Sequence, residues 1–105
     1  MIRIIEGKRY NTETAELIGE FESGNDRSNW RWFGEALYRT PKGAWFTVGS
    51  GGPLSPYSRR VGQNELTGAH DMFRVLTVTE VRGWVEAYCA AEVVERLFGA
   101  EIADA

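Results

Sequence analysis

Three acidic side chains, Glu16, Glu20 and Glu22, fall at even spacing along one stretch of the chain, and even positions of a β-strand project from one side of the ribbon. Members of such a row repeat at about 6.6 Å per two residues, close to the repeat of a nucleic-acid backbone. A row of this kind could complement a basic channel; its ordinary alternative is a solvated sheet face. Other residue sets support less chemistry. Gly49-Ser50-Gly51-Gly52 has the glycines of a phosphate cradle, but lacks the Lys-Ser/Thr pair and the following helix start that make a P-loop work. His70-Asp71 could join an orienter to a base, yet no Ser or Cys stands in a nucleophile setting. One His and one Cys without closely spaced partners do not assemble a tetrahedral metal site. No catalytic residue, metal ligand or cofactor is therefore assigned. Trp30-Arg31-Trp32-Phe33 interleaves rings with a base as single-strand binders do, although half of those rings must face a core if the segment is a strand.

The elements that must position these residues centre on Glu35 to Gly52, which reads as a β-hairpin. Thr40-Pro41-Lys42-Gly43 supplies its turn: Pro41 has φ preset for the second turn position, and Gly43 tolerates the positive φ of a following bulge. Placing Thr40 opposite Ala44 puts Tyr38/Phe46 and Ala36/Val48 on one face, assigned to the core. Arg39/Trp45, Leu37/Thr47 and Glu35/Gly49 then share an amphipathic outer face, where the Arg39 guanidinium can lie on the Trp45 indole.

Upstream, Met1–Ile5 and Lys8–Tyr10 read as a short hairpin around Glu6-Gly7. Asn11 to Phe21 fits a helical face about as well as a strand face. Gly19 tips the reading to a strand preceded by a helical turn at Asn11–Thr14, because Gly costs about 1 kcal/mol in a helix interior. Ser23–Asn29 is a polar loop. Gly49 to Gln63 reads as a long connection without periodicity that continues through Asp71, and Met72–Leu76 as one more short strand. Thr77 with Glu80 is a capping box, Leu76 can staple onto Val81, and Val81, Trp84, Val85 and Tyr88 form an apolar stripe expected to lie on the Tyr38/Phe46/Val48 face. Whether Cys89–Ala91 separates two helices or bends one stays open, Gly99 is the natural stop, and Ile102–Ala105 is expected to fray.

A chain of 105 residues makes one domain, 1–105, able to bury a modest core without cross-links. The fold class expected is α+β: a small antiparallel β-sheet built on the central hairpin and packed by one or two C-terminal helices. A net charge of −3 argues against a general nucleic-acid binder. The lone Cys89 and the lack of any long apolar run fit a cytoplasmic setting with no membrane association. Four Trp, four Tyr and five Phe are many for this length, and some of the rings are expected on the surface as contact anchors.

Three strings carry a resemblance: Gly7-Lys8-Arg9-Tyr10-Asn11-Thr12-Glu13-Thr14-Ala15, then Glu35 to Phe46, then Gly49-Ser50-Gly51-Gly52-Pro53-Leu54-Ser55-Pro56-Tyr57. Together with Leu76-Thr77 and Leu97-Phe98-Gly99, they make the chain similar to a family of small, mostly uncharacterised proteins carried by bacteriophages and mobile elements. Ser23–Asn29 and Arg59–Asp71 match less well, and members commonly break between two helices near Cys89–Ala91, where this chain has helix-tolerant residues. Proteins of this size and source include anti-CRISPR inhibitors. The resemblance therefore implies a non-enzymatic protein that binds a Cas protein or Cas complex of the host bacterium, and it supplies no catalytic residues. The alternative class is a mobile-element accessory protein that contacts nucleic acid or a replication or transfer protein; an enzyme comes third. Strand parity or loop position nominates Glu16, Glu20, Glu22, Arg39, Trp45 and Tyr57 as partner contacts.

Overall fold

The computed structural model describes Met1–Ala105 and begins with a hairpin, β1 (Ile2–Ile5) pairing antiparallel with β2 (Lys8–Asn11). Its turn residues, Glu6 and Gly7, have φ of 51° and 77°, the positive pair that matches a two-residue turn to right-handed strand twist. Asn11 starts the expected short turn: its Oδ1 accepts the Glu13 amide and its carbonyl accepts that of Ala15. The turn delivers the chain into β3 (Glu16–Glu22), so the strand reading around Gly19 holds.

The central hairpin, β4 (Phe33–Arg39) and β5 (Trp45–Gly51), has the register read from its turn, with Tyr38 opposite Phe46, Ala36 opposite Val48 and Arg39 opposite Trp45. Thr40 closes it twice, its amide donating to the Ala44 carbonyl and its Oγ1 accepting the Ala44 amide. The connection after β5 is less featureless than expected. It contains a small hairpin, β6 (Arg59–Gly62) and β7 (Glu65–Thr67), and the next strand, β8 (Ala69–Leu76), starts three residues before the expected Met72. β6 and β7 are short and almost wholly exposed, so no hydrophobic period marks them. The four-stranded sheet runs β3-β4-β5-β8, all antiparallel.

α1 (Val78–Tyr88) begins at the capping box: the Glu80 amide donates to Thr77 Oγ1 at 3.2 Å and the Thr77 amide donates to Glu80 Oε1 at 2.9 Å. The Thr77 amide, and then the Thr77 hydroxyl, hold the Glu80 carboxyl below its usual range. α1 ends at Cys89, where extended backbone at Cys89 and Ala90 separates it from α2 (Ala91–Phe98), and a 3₁₀ turn follows at Gly99–Glu101. There are two C-terminal helices. Neither is long and apolar enough to cross a membrane.

The helices lie on the opposite sheet face from the one expected. Val81, Trp84 and Val85 pack with Ile18, Leu37, Trp45 and Leu76, while Tyr38, Phe46 and Val48 face away and are covered by Tyr10, Ile5 and Ala15 of the N-terminal segment. The physical reason is that every β5 residue from Trp45 to Gly49 is buried, so the strand has no polar phase from which an outer face could be read. Trp45 is 7% exposed, and it combines burial with the expected stacking, the Arg39 guanidinium lying 5.0 Å from its ring. Two cores therefore sandwich one sheet. Phe46 is the centre of the second, fully buried among Tyr10, Tyr38 and Phe73 at centroid distances of 5.2–5.5 Å.

Phe46→Ala is expected to cost about 3–5 kcal/mol, a large share of a small domain's stability. Hydrogen exchange in the variant should accelerate first in Lys8–Asn11, because that hairpin loses its floor. Acceleration centred on α1 instead would contradict the two-core arrangement.

Candidate partner-binding surface

The acidic strand is not one row. Glu16 pairs with Arg39 and Leu17 with Tyr38, but Gly19 pairs with Leu37, so Ile18 is an extra residue bulged out of the ladder. The bulge resets the alternation. Glu16 stays on the face of Arg39 and Trp45, whereas Glu20 and Glu22, opposite Ala36 and Gly34, project from the other face. Burial raises the Tyr38 phenol above its ordinary range, with Glu20 adding to the effect, as a carboxylate on the Tyr38 face must. Ile18 gains what the row loses, for the bulge turns it into the helix-side core.

Glu20 and Glu22 border an open groove of about 450 Å³ over the part of the sheet that the N-terminal hairpin leaves bare. Gly34, Ala36, Val48 and Ser50 lie along it, and Asp71 adds a third carboxylate from β8. A second bulge places Asp71: His70 and Asp71 together oppose Ser50, and Asp71 takes φ of 52° with its amide donating to Ser50 Oγ at 3.0 Å. Arg27 is the one cation on the groove; it pairs with Glu22 and lies 5.3 Å from the Trp32 ring. Glu35 also borders the groove, but its two oxygens are taken by Tyr57 and Trp84, so Glu20, Glu22 and Asp71 against Arg27 leave a local excess of two negative charges over small, partly apolar side chains.

The remaining nominated residues have other work. Trp45 is core, so it offers a partner no ring, and exposed Arg39 lies over it. Tyr57 is half-buried rather than presented by its loop, and its hydroxyl donates to Glu35 Oε2. Trp84 Nε1 donates to the other oxygen of the same carboxylate at 3.1 Å. Burial, then the hydrogen bond to Glu35, raises the Tyr57 phenol far above its ordinary range. Gly49 makes this possible, since a Cβ there would fall on the Tyr57 ring. The Gly49-Ser50-Gly51-Gly52 run is β5 and its exit, with no helix after it. His70 is exposed, and burial pushes the Cys89 thiol up, away from nucleophilic use.

Sequence reasoning missed Trp30, which is 67% exposed beside exposed Leu54, the Leu54 amide donating to the Trp30 carbonyl at 2.9 Å. It lies in the turn before β4, so strand parity did not apply to it; its place after a polar loop was the available signal. Asp71 was hidden for the same reason as Glu16, a bulge that parity cannot see.

No family model, curated protein or solved structure matches the chain significantly.

Tyr57→Phe removes a hydrogen bond to a half-buried carboxylate and should destabilise the fold by about 1–2 kcal/mol at neutral pH, read by chemical denaturation. A phenol raised in the folded state contributes stability that is fully present below its unfolded pKa of about 10 and is lost as pH rises beyond it. The wild type should therefore weaken above that pH more steeply than Tyr57→Phe. Parallel alkaline limbs would show that the Tyr57–Glu35 contact is absent in solution.

Proposed function

We propose that this domain is a binding protein without turnover, an inhibitor of the anti-CRISPR kind that lays its acidic groove against a basic, nucleic-acid-handling surface of a Cas effector. One observation carries the reading: Glu20, Glu22 and Asp71 converge on an uncovered strip of sheet with only Arg27 to balance them. A Cas effector offers basic channels for guide and target, and opposite potentials steer encounter and exclude competitors. The net charge of −3 has the same sign. Resemblance to phage and mobile-element proteins supports the choice of partner. An accessory protein of a mobile element that binds a replication or transfer protein is the second reading, favoured by the same groove in so far as such proteins also expose basic surfaces.

The expected contacts are narrower than strand parity implied. Glu20 and Glu22 belong to them; Glu16, on the other face, does not. Trp30 and Leu54 are the exposed apolar pair best suited to anchor an interface.

The test is co-purification with a panel of Cas effectors, followed by competition with guide or target nucleic acid. Glu20→Lys with Glu22→Lys should weaken binding about a hundredfold, equivalent to about 2.7 kcal/mol, and Glu16→Lys should leave it within about threefold. Each exposed substitution should alter stability by only about 0.5 kcal/mol. Binding by wild type should weaken with salt. Failure to recover any Cas protein, with phage interference untouched by expression, would remove the inhibitor reading; equal loss from Glu16→Lys would remove the groove from it.

A further inference from the structure

A second cleft, of about 750 Å³, opens where the N-terminal hairpin meets the turn of the central hairpin. Its volume lies in the roughly 300–1,000 Å³ range of small-molecule sites. Lys8 and Arg9, which reach it from the two faces of β2 along that strand's unpaired edge, and Lys42 of the turn line it, and no carboxylate does. None of the three cations has an ion-pair partner; the protein's two salt bridges are Arg27–Glu22 and Arg82–Glu101. The neutral polar groups add donors as well. Asn11 uses its Oδ1 to accept the Glu13 amide, which leaves its NH₂ free, and Thr40 Oγ1 accepts the Ala44 amide, which leaves its hydroxyl proton free. Tyr10, Ala44, Pro41 and Ile4 supply apolar surface beside these donors.

A cleft that gathers three unpaired cations and two unused neutral donors, in a chain of net charge −3, is chemically matched to an anion with several acceptor oxygens. We propose that this cleft binds a phosphate ester, held by Lys8, Arg9 and Lys42 with Asn11 and Thr40 completing its hydrogen bonds. The apolar side accommodates the organic part of the ester. A free nucleotide and the backbone of a nucleic-acid strand present the same chemistry, and each is an arm of the test. The site is independent of the acidic groove, which lies over the other part of the same sheet face.

The test titrates the isotopically labelled full chain at low salt with inorganic phosphate, adenosine monophosphate and an oligothymidylate, reading backbone amide shifts. Saturable shifts confined to Gly7–Asn11 and Thr40–Ala44 are expected from at least one ester. The triple substitution Lys8→Ala, Arg9→Ala, Lys42→Ala should weaken that binding at least tenfold; all three side chains are exposed, so an unchanged amide spectrum is the expected control. Monophosphate binding as tight as the oligomer's assigns the site to a free nucleotide. Tighter oligomer binding, with a logarithmic salt slope of about −0.7 per phosphate contacted, assigns it to a strand. Absence of saturable shifts from all three probes, or shifts that survive the triple substitution, overturns the proposal. Glu20→Gln with Glu22→Gln should leave cleft binding intact, and loss of it there would also overturn the proposal.

Discussion

The Glu35 carboxylate is the contact on which the arrangement of the fold depends. It sits on the helix face of β4, and its two oxygens accept from Tyr57 in the loop after β5 and from Trp84 in α1. A half-buried carboxylate without donors would be costly, and the two that serve it arrive from segments remote in sequence. Satisfying Glu35 thus ties three pieces together: the sheet, the long connection and the first helix. The bond also selects a side, because Trp84 can reach Glu35 only with α1 on the Leu37/Trp45 face. The opposite face is then left to the N-terminal hairpin and to the two clefts.

Those features were unequally legible in the sequence. Local chemistry read well. Pro41 and Gly43 gave the hairpin register, Glu6-Gly7 gave the first turn, and Thr77 with Glu80 gave the helix start, each through contacts within a few residues. The choice of helix face was not local. It rests on packing of Val81, Trp84 and Val85 against Ile18, Leu37 and Trp45 and on the Trp84–Glu35 hydrogen bond, all remote in sequence, and in the all-buried strand Trp45–Gly49 hydrophobicity marks neither face. Exposed β6 and β7 carried no period at all.

Much the same division holds for the surface. Glu20 and Glu22 stand where their parity relative to each other placed them, side by side. Glu16 was separated from them by one bulged residue, Ile18, whose apolar side chain is drawn inward while Leu17 before it stays exposed. Trp45 was nominated as an anchor because strand parity placed it with Arg39 on the outer hairpin face; a cation stacked over a buried ring has the same sequence signature. Lys8 and Arg9 stand far from Lys42 in the sequence, and only the two hairpins bring the three to one cleft.

The bulges have a further consequence for the sheet's borders. β3 and β8 are its outermost strands, and each would present a row of unpaired amides and carbonyls as a template for another chain. Both are interrupted, β3 at Ile18 and β8 at His70-Asp71, and each interruption is flanked by a charged side chain, Glu20 on one border and Asp71 on the other. An incoming strand would find at most four regular residues on β3, Gly19–Glu22, and five on β8, Met72–Leu76, before losing register. The same irregularities that break the acidic row and aim Asp71 into the groove therefore shorten the edge that each outer strand offers to another chain.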